Sequence, residues 1–177
     1  MSPLQQSMLD SVFEFEGGFS NDPNDHGGAT NWGITHAEIS RFLGHDASID
    51  EVKAFPKADA ETIYLRNYLA APRIDQLPEA LQPVMFDWGV NAGPGRPIKT
   101  LQGLLGLSQD GAIGPATIHA SAAACSTPAA ATALVVRLCD ARVAFYNRLV
   151  ANDATQGKFL KGWLRRANAF RPKTVEA

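Results

Sequence analysis

The 177-residue sequence predicts a mainly α-helical protein, and three observations carry that expectation. Apolar residues recur at steps of three and four along most of the chain; threonines and prolines precede these runs and glycines follow them; nothing resembles a βαβ array or repeated alternating strands. With 45% hydrophobic and 19% charged residues the chain can fill a core, which excludes disorder as its main state. The formal net charge of -2 argues against a nucleic-acid binder, but it hides an asymmetry. Residues 1–90 carry 5 Lys/Arg against 14 Asp/Glu, and residues 91–177 carry 11 against 4, so an acidic front precedes a basic back. Such a back half points to an anionic partner.

Leu4, Met8, Val12 and Phe15 lie on one face of a first helix, and Gly17-Gly18 is expected to end it by supplying a left-handed residue. Residues 19–34 are rich in Asn, Asp, Pro and Gly and predict a long loop or a small irregular β-hairpin. Thr35-His36-Ala37-Glu38 has the form of a capping box for a helix running to about Leu43, with Gly44 after it. Further helices are expected over 58–69, 78–91 and 96–105, the last stopped by Gly106. Gly114-Pro115 opens a short helix with proline in its first turn. Thr127-Pro128 starts a long one to about Ala151, and a last helix holds Phe159, Leu160, Trp163 and Leu164. The charge balance flips near Gly93-Pro94-Gly95-Arg96, so two regions are expected, 1–93 and 94–177, packed as one compact unit.

Glu16 is the first candidate for chemistry. A carboxylic acid at a helix end between Phe15 and Phe19, followed by two glycines, is placed to meet a ligand in a partly apolar setting that favours its protonated form. The alternative is a solvated helix-end glutamate. Asp22 and Asp25 follow in the turn-rich segment. Glycoside cleavage commonly needs one protonated and one ionised carboxyl, and a helix-end Glu with loop aspartates can supply that pair; turn formation beside Pro23 and Gly27 is the other reading.

The string Glu16-Gly17-Gly18-Phe19-Ser20-Asn21-Asp22-Pro23, continuing through Gly27-Gly28-Ala29-Thr30-Asn31-Trp32-Gly33-Ile34-Thr35, resembles the signature of glycoside hydrolase family 108, N-acetylmuramidases of phages and bacteria sometimes called secretion activator proteins. Asp75-Gln76-Leu77-Pro78, Phe86-Asp87, Val90-Asn91 and Gly93-Pro94-Gly95-Arg96 resemble its second block. Asp110-Gly111, Ile113-Gly114-Pro115 and the run from Lys161 to Arg166 resemble its C-terminal peptidoglycan-binding part. Phe19 stands where tyrosine is usual and His26 where proline is common.

The resemblance implies a lysozyme-like helical fold with Glu16 as catalytic acid. Virulent-phage lysozymes share the Glu, eight residues, Asp, five residues spacing, which makes Asp25 the second carboxylate; Asn31 takes the place of their threonine. Asn31, Trp32, Asp87 and Asn91 are expected to bind substrate or support the cleft, Trp32 by stacking on a sugar or as a buried aromatic. No cofactor and no metal are expected, because His26, His36, His45, His119, Cys125 and Cys139 have no zinc spacing. The two cysteines read as buried thiols. Lys158, Lys161, Arg165, Arg166, Arg171 and Lys173 form a solvated face or one turned to an anionic wall. The expected partner is the peptidoglycan glycan strand, met by a monomer that does not insert stably in a membrane. Met1–Phe15 has no secretory pattern, so synthesis in the cytoplasm, release through a holin-type partner and action on the wall are expected. Hydrolysis competes with lytic transglycosylation by the same Glu16, and with a non-catalytic role in peptidoglycan binding or secretion.

Overall fold

The protein is represented by a computed structural model in which residues 1–15, 17–21 and 28–172 are described. The chain is mainly α and divides into two compact units, residues 1–67 and 68–177.

In the first unit, α1 (Pro3–Phe15) buries Met8, Leu9 and Val12, the face its periodicity marks. Gly17 and Gly18 are not among the residues with positive φ, which corrects the expectation of a left-handed stop there; a side chain on either would meet nothing within 4 Å. These glycines are bare, open backbone. The hairpin exists in minimal form: β1 (Thr30–Asn31) pairs antiparallel with β2 (Ile34–Thr35), and Ser20 bridges to Thr30. Next come α2 (His36–Leu43), α3 (Ile49–Ala54) and α4 (Lys57–Tyr64). Thr35 caps α2 by accepting from the Glu38 amide at 3.3 Å, but Glu38 meets the Thr35 hydroxyl and not its backbone N–H, so the expected box is half made. The complete box belongs to α3, between Ser48 and Glu51. Gly44, at φ 81°, ends α2 as expected. The helix expected over 58–69 changes form: α4 stops at Tyr64 and a π-helical turn, Leu65–Ala70, continues it. Leu9, Val12, Ile34, Ile39, Val52, Ala60 and Ile63 are the core, each fully buried branched side chain contributing about 1.5–3 kcal/mol.

In the second unit, α5 (Gln82–Ala92), α6 (Gly95–Leu104) and α8 (Pro128–Asn152) pack on one another, α7 (Pro115–Ala124) leans on α8, and α9 (Gly157–Ala169) returns along α8. The helix expected from Pro78 starts at Gln82 instead. Residues 74–76 form a 3-10 turn before it, and the Gln82 side chain donates to the carbonyls of Leu77 (2.8 Å) and Asp75 (3.2 Å), tying that turn to α5. Thr127 caps α8 through the Ala130 amide at 3.1 Å, with Pro128 next. Gln102 organises the loop between α6 and α7. Its amide donates to Asp110 (2.7 Å), to the Ala112 carbonyl (3.0 Å) and to Thr117, while its carbonyl accepts from Gly111. Cys139 is buried as expected, whereas Cys125, at the end of α7, is only partly covered; both are free thiols.

Candidate functional site

Glu16 and Asp25 lie outside the described residues, as do Asp22, Pro23, His26 and Gly27. What is described is the frame on either side of them: α1, which ends at Phe15, and the hairpin that resumes at Gly28. The hairpin turns on Trp32 (φ 55°) and Gly33 (φ 75°). Two positive φ angles in a two-residue loop are what a type I′ turn requires, and a tryptophan there is a backbone outlier that needs support.

That support comes from three sides. The Tyr64 hydroxyl on α4 donates to the Trp32 carbonyl at 2.9 Å, and the Trp32 indole N–H donates to the Phe55 carbonyl after α3, also at 2.9 Å. The Phe13 ring on α1 meets Trp32 and Tyr64 edge-on, with centroids 6.0 and 5.7 Å away, and Lys57 Nζ sits 4.6 Å from the Phe13 ring centre. Trp32 is half-buried. Asn31 is 4% exposed, and its amide donates to the carbonyls of Val52 (2.9 Å) and Lys53 (3.0 Å). Those carbonyls close α3, so Asn31 fastens the hairpin to that helix.

The link from α2 to α3 is set by electrostatics. His36 Nε2–H donates to the Ala47 carbonyl at 2.6 Å and lies 3.6 Å from Asp46. His45 and Glu51 pair at 2.9 Å. The Ser48 amide and hydroxyl, followed by His45, hold the Glu51 carboxyl down to about 2. Glu51 in turn raises the pKa of His45.

Asp87 and Asn91 stand four residues apart on α5 in the second unit, and the structure brings both into one polar network. Asp87 is 1% exposed, and two guanidiniums hold its carboxylate: Arg142 of α8 at 2.7 Å, and Arg166 of α9 through Nε (2.9 and 3.1 Å) and Nη2 (2.9 Å). Arg142 also donates to the Tyr146 hydroxyl at 3.3 Å, and that hydroxyl donates to Asn91 Oδ1. Burial pushes the Tyr146 hydroxyl pKa up. Trp163 stacks on Tyr146 at 5.1 Å. Arg166 is therefore not on the basic face where its sequence neighbours place it; at 6% exposure it neutralises Asp87. Arg171 pairs with Asp140, Lys158 and Lys161 are exposed, and Lys173 lies outside the described residues.

Sequence reasoning did not single out Phe13, Arg142 or Tyr146, and it read Tyr64 only as an inward residue of its helix, which its burial bears out, not as a support of the hairpin. Phe13 lies off the apolar stripe it assigned to α1, and a charge or hydroxyl on an amphipathic helix does not announce a partner 32 to 79 residues away. Among the described residues no three His, Cys, Asp or Glu side chains gather as a metal group, and no single helix is long and apolar enough to cross a membrane.

Comparison with known proteins places these features. The model of the family Glycosyl hydrolase 108 matches residues 9–93, a span that contains Glu16, Asp25 and the hairpin. The model described as Predicted Peptidoglycan domain matches residues 96–168, from the start of α6 to the end of α9. The solved structure of Brucella abortus SagA is 36% identical, covering 94% of this chain and 91% of its own, with a TM-score of 0.76. No curated protein matches the chain.

Proposed function

The chain belongs to the glycosyl hydrolase 108 family, and from that premise we propose that it is an N-acetylmuramidase, hydrolysing the β-1,4 bond between N-acetylmuramic acid and N-acetylglucosamine in peptidoglycan. One observation carries this reading: a glycosidase family and a peptidoglycan domain are matched in succession on a single chain. Residues 1–93 do the chemistry and 94–177 hold the wall.

Glu16 protonates the glycosidic oxygen as the C1–O bond breaks; water adds to C1 and its proton returns to Glu16. Asp25, ionised, stabilises the oxocarbenium-like state or orients that water. Trp32, half-buried at the hairpin turn, stacks on a sugar. Asn31 supports it from beneath by tying the turn to α3, while Asp87 and Asn91 contribute through the frame of α5, α8 and α9. The family resemblance supports the two carboxylate roles, and the pinned, outlying Trp32 backbone supports a site at the hairpin. The protein acts as a monomer on the wall outside the cytoplasmic membrane and reaches it through a holin-type partner.

Digestion of purified peptidoglycan with mass spectrometry of the fragments tests the reading. Reducing N-acetylmuramic acid ends are expected, with loss of release in Glu16→Gln while wall binding is retained. Ends bearing a 1,6-anhydro ring mean transglycosylation by the same acid, and equal release by the variant removes Glu16 from the mechanism.

A further inference from the structure

Two depressions in the second unit adjoin at Gly95 and share it as a wall. The larger, of about 390 Å³, has an apolar lining of Ala71, Pro72, Pro94, Ile98, Ala112 and Ile113, with Arg73 at its edge. The smaller, of about 270 Å³, is bounded by Ala92, Gly93, Arg96 and Lys99. Among the described residues that line them there are three cations and no carboxylate. Asp110 is not among the lining residues: its carboxylate accepts from the Ala112 amide (2.9 Å) and Gln102 (2.7 Å), and with these bonds the charge of Lys99 helps to hold its pKa down.

Contacts from several elements set the walls in place. Gln102 fixes the Gly111–Gly114 loop, the Lys99 stem runs against Gly111, and the Arg96 guanidinium lies 4.9 Å over the Phe145 ring. Arg73 holds a left-handed backbone (φ 62°), and its guanidinium donates to Gln76 at 2.7 Å. Gly93, Gly95 and Gly114 leave bare backbone facing open space, because a side chain on any of them would meet nothing within 4 Å. Ligand sites combine such apolar walls with a few placed charges, and their volumes start at about 300 Å³.

We propose that this double depression binds a short peptide with small alkyl side chains and a free C-terminal carboxylate, which in peptidoglycan is the peptide stem. The methyl groups enter the apolar pocket, and the carboxylate meets Arg96 and Lys99 or Arg73. The proposal rests on the chain acting on peptidoglycan. It assigns the second unit a ligand different from the glycan that the first unit cleaves.

The test is an NMR titration of the full-length protein with the synthetic peptide L-Ala-γ-D-Glu-L-Lys-D-Ala-D-Ala and with the same peptide amidated at its C-terminus. The amides of Gly95, Gly111, Ala112 and Gly114 are expected to shift with the free acid, and amidation should weaken binding about tenfold, as loss of a charge-assisted contact does. Gly95→Leu should abolish the shifts without disturbing the fold, since Gly95 is helical and its side chain would enter the depression. Shifts confined to other residues, unchanged binding in Gly95→Leu, or equal affinity for the amidated peptide would overturn the proposal. Release of reducing ends from purified peptidoglycan, measured on the same samples, separates the two readings. Cleavage without peptide shifts removes the site alone, while peptide shifts without cleavage remove the hydrolase and leave the site.

Discussion

Asp87 is the charged centre of the buried network in the second unit. It lies at 1% exposure between two guanidiniums, so removing its carboxylate leaves two buried positive charges facing each other. Breaking a buried pair from one side costs about 3–5 kcal/mol. In Asp87→Ala the melting temperature is therefore expected to fall by on the order of 10 °C. Calorimetry checks this, and Asp87→Met combined with Arg142→Met and Arg166→Met should recover much of the loss, because apolar replacement of a whole ion cluster is often neutral. At Tyr64 a smaller effect is expected: Tyr64→Phe removes the hydroxyl that supports the Trp32 carbonyl and should destabilise by ~1 kcal/mol, measurable by urea denaturation. Asp87 and Asn91 were legible as a pair on one helix face. That the face is inward was not, because the spacing is the same for a cleft and for a core, and the deciding partners lie on α8 and α9.

At the scale of elements, α3 carries a pH dependence of its own. Its six residues are too few for a hydrophobic period, and it stands on the Ser48–Glu51 box and the His45–Glu51 pair. The folded state holds the Glu51 pKa at about 2, below its ordinary 4.5, so the unfolded chain takes up that proton more readily. The stability from Glu51 is thus full above about 4.5 and is lost as pH falls toward 2. His45 runs the other way. Its pKa is raised above 6.5 in the folded state, so its contribution is full below 6.5 and disappears as pH rises through the higher folded value. Both act together between about 4.5 and 6.5, and in Glu51→Gln the pH dependence of thermal stability should flatten on both sides of that window. An unchanged profile would show that the pair does not hold α3. The helices α1, α6 and α8 were legible from the apolar period of the first, the Gly106 that follows the second and the Thr127-Pro128 start of the third. The Ser48-x-x-Glu51 signature of α3 was also present but stood beside no apolar run. The hairpin turn was hidden because Trp32-Gly33 is not the Asn-Gly or Asp-Gly pair that marks a type I′ turn; a tyrosine from α4 makes it possible.

For the whole molecule, the near-neutral total separates along the structural division. Residues 1–67 hold 4 Lys/Arg against 11 Asp/Glu, and residues 68–177 hold 12 against 7. The second unit is net basic even though Arg142 and Arg166 are consumed inside it by Asp87. Its surface charge therefore rests on other cations, among them the exposed Lys158 and Lys161 of α9. Burial of Arg166 could not be read from the run Lys161-Gly162-Trp163-Leu164-Arg165-Arg166; helical geometry turns one of two adjacent arginines inward, and only the tertiary position of Asp87 says which. A surface cation attracts an anionic wall over a Debye length, about 10 Å at 0.1 M salt and 3 Å at 1 M, so its effect must fade as salt rises. In Lys158→Gln/Lys161→Gln, retention on purified cell walls is expected to drop several-fold at 0.05 M salt and to match wild type near 1 M. Cleavage of a short, uncharged soluble glycan should remain unchanged at both, because the proposed acid, Glu16, belongs to the first unit. Peptide titration at Gly95 should be equally unaffected, since neither lysine lines that depression. A co-sedimentation assay run across the salt series, with both controls on the same preparation, checks the expectation. A loss of wall retention that persists at 1 M salt would mean that these lysines make specific contacts instead of contributing to a diffuse field.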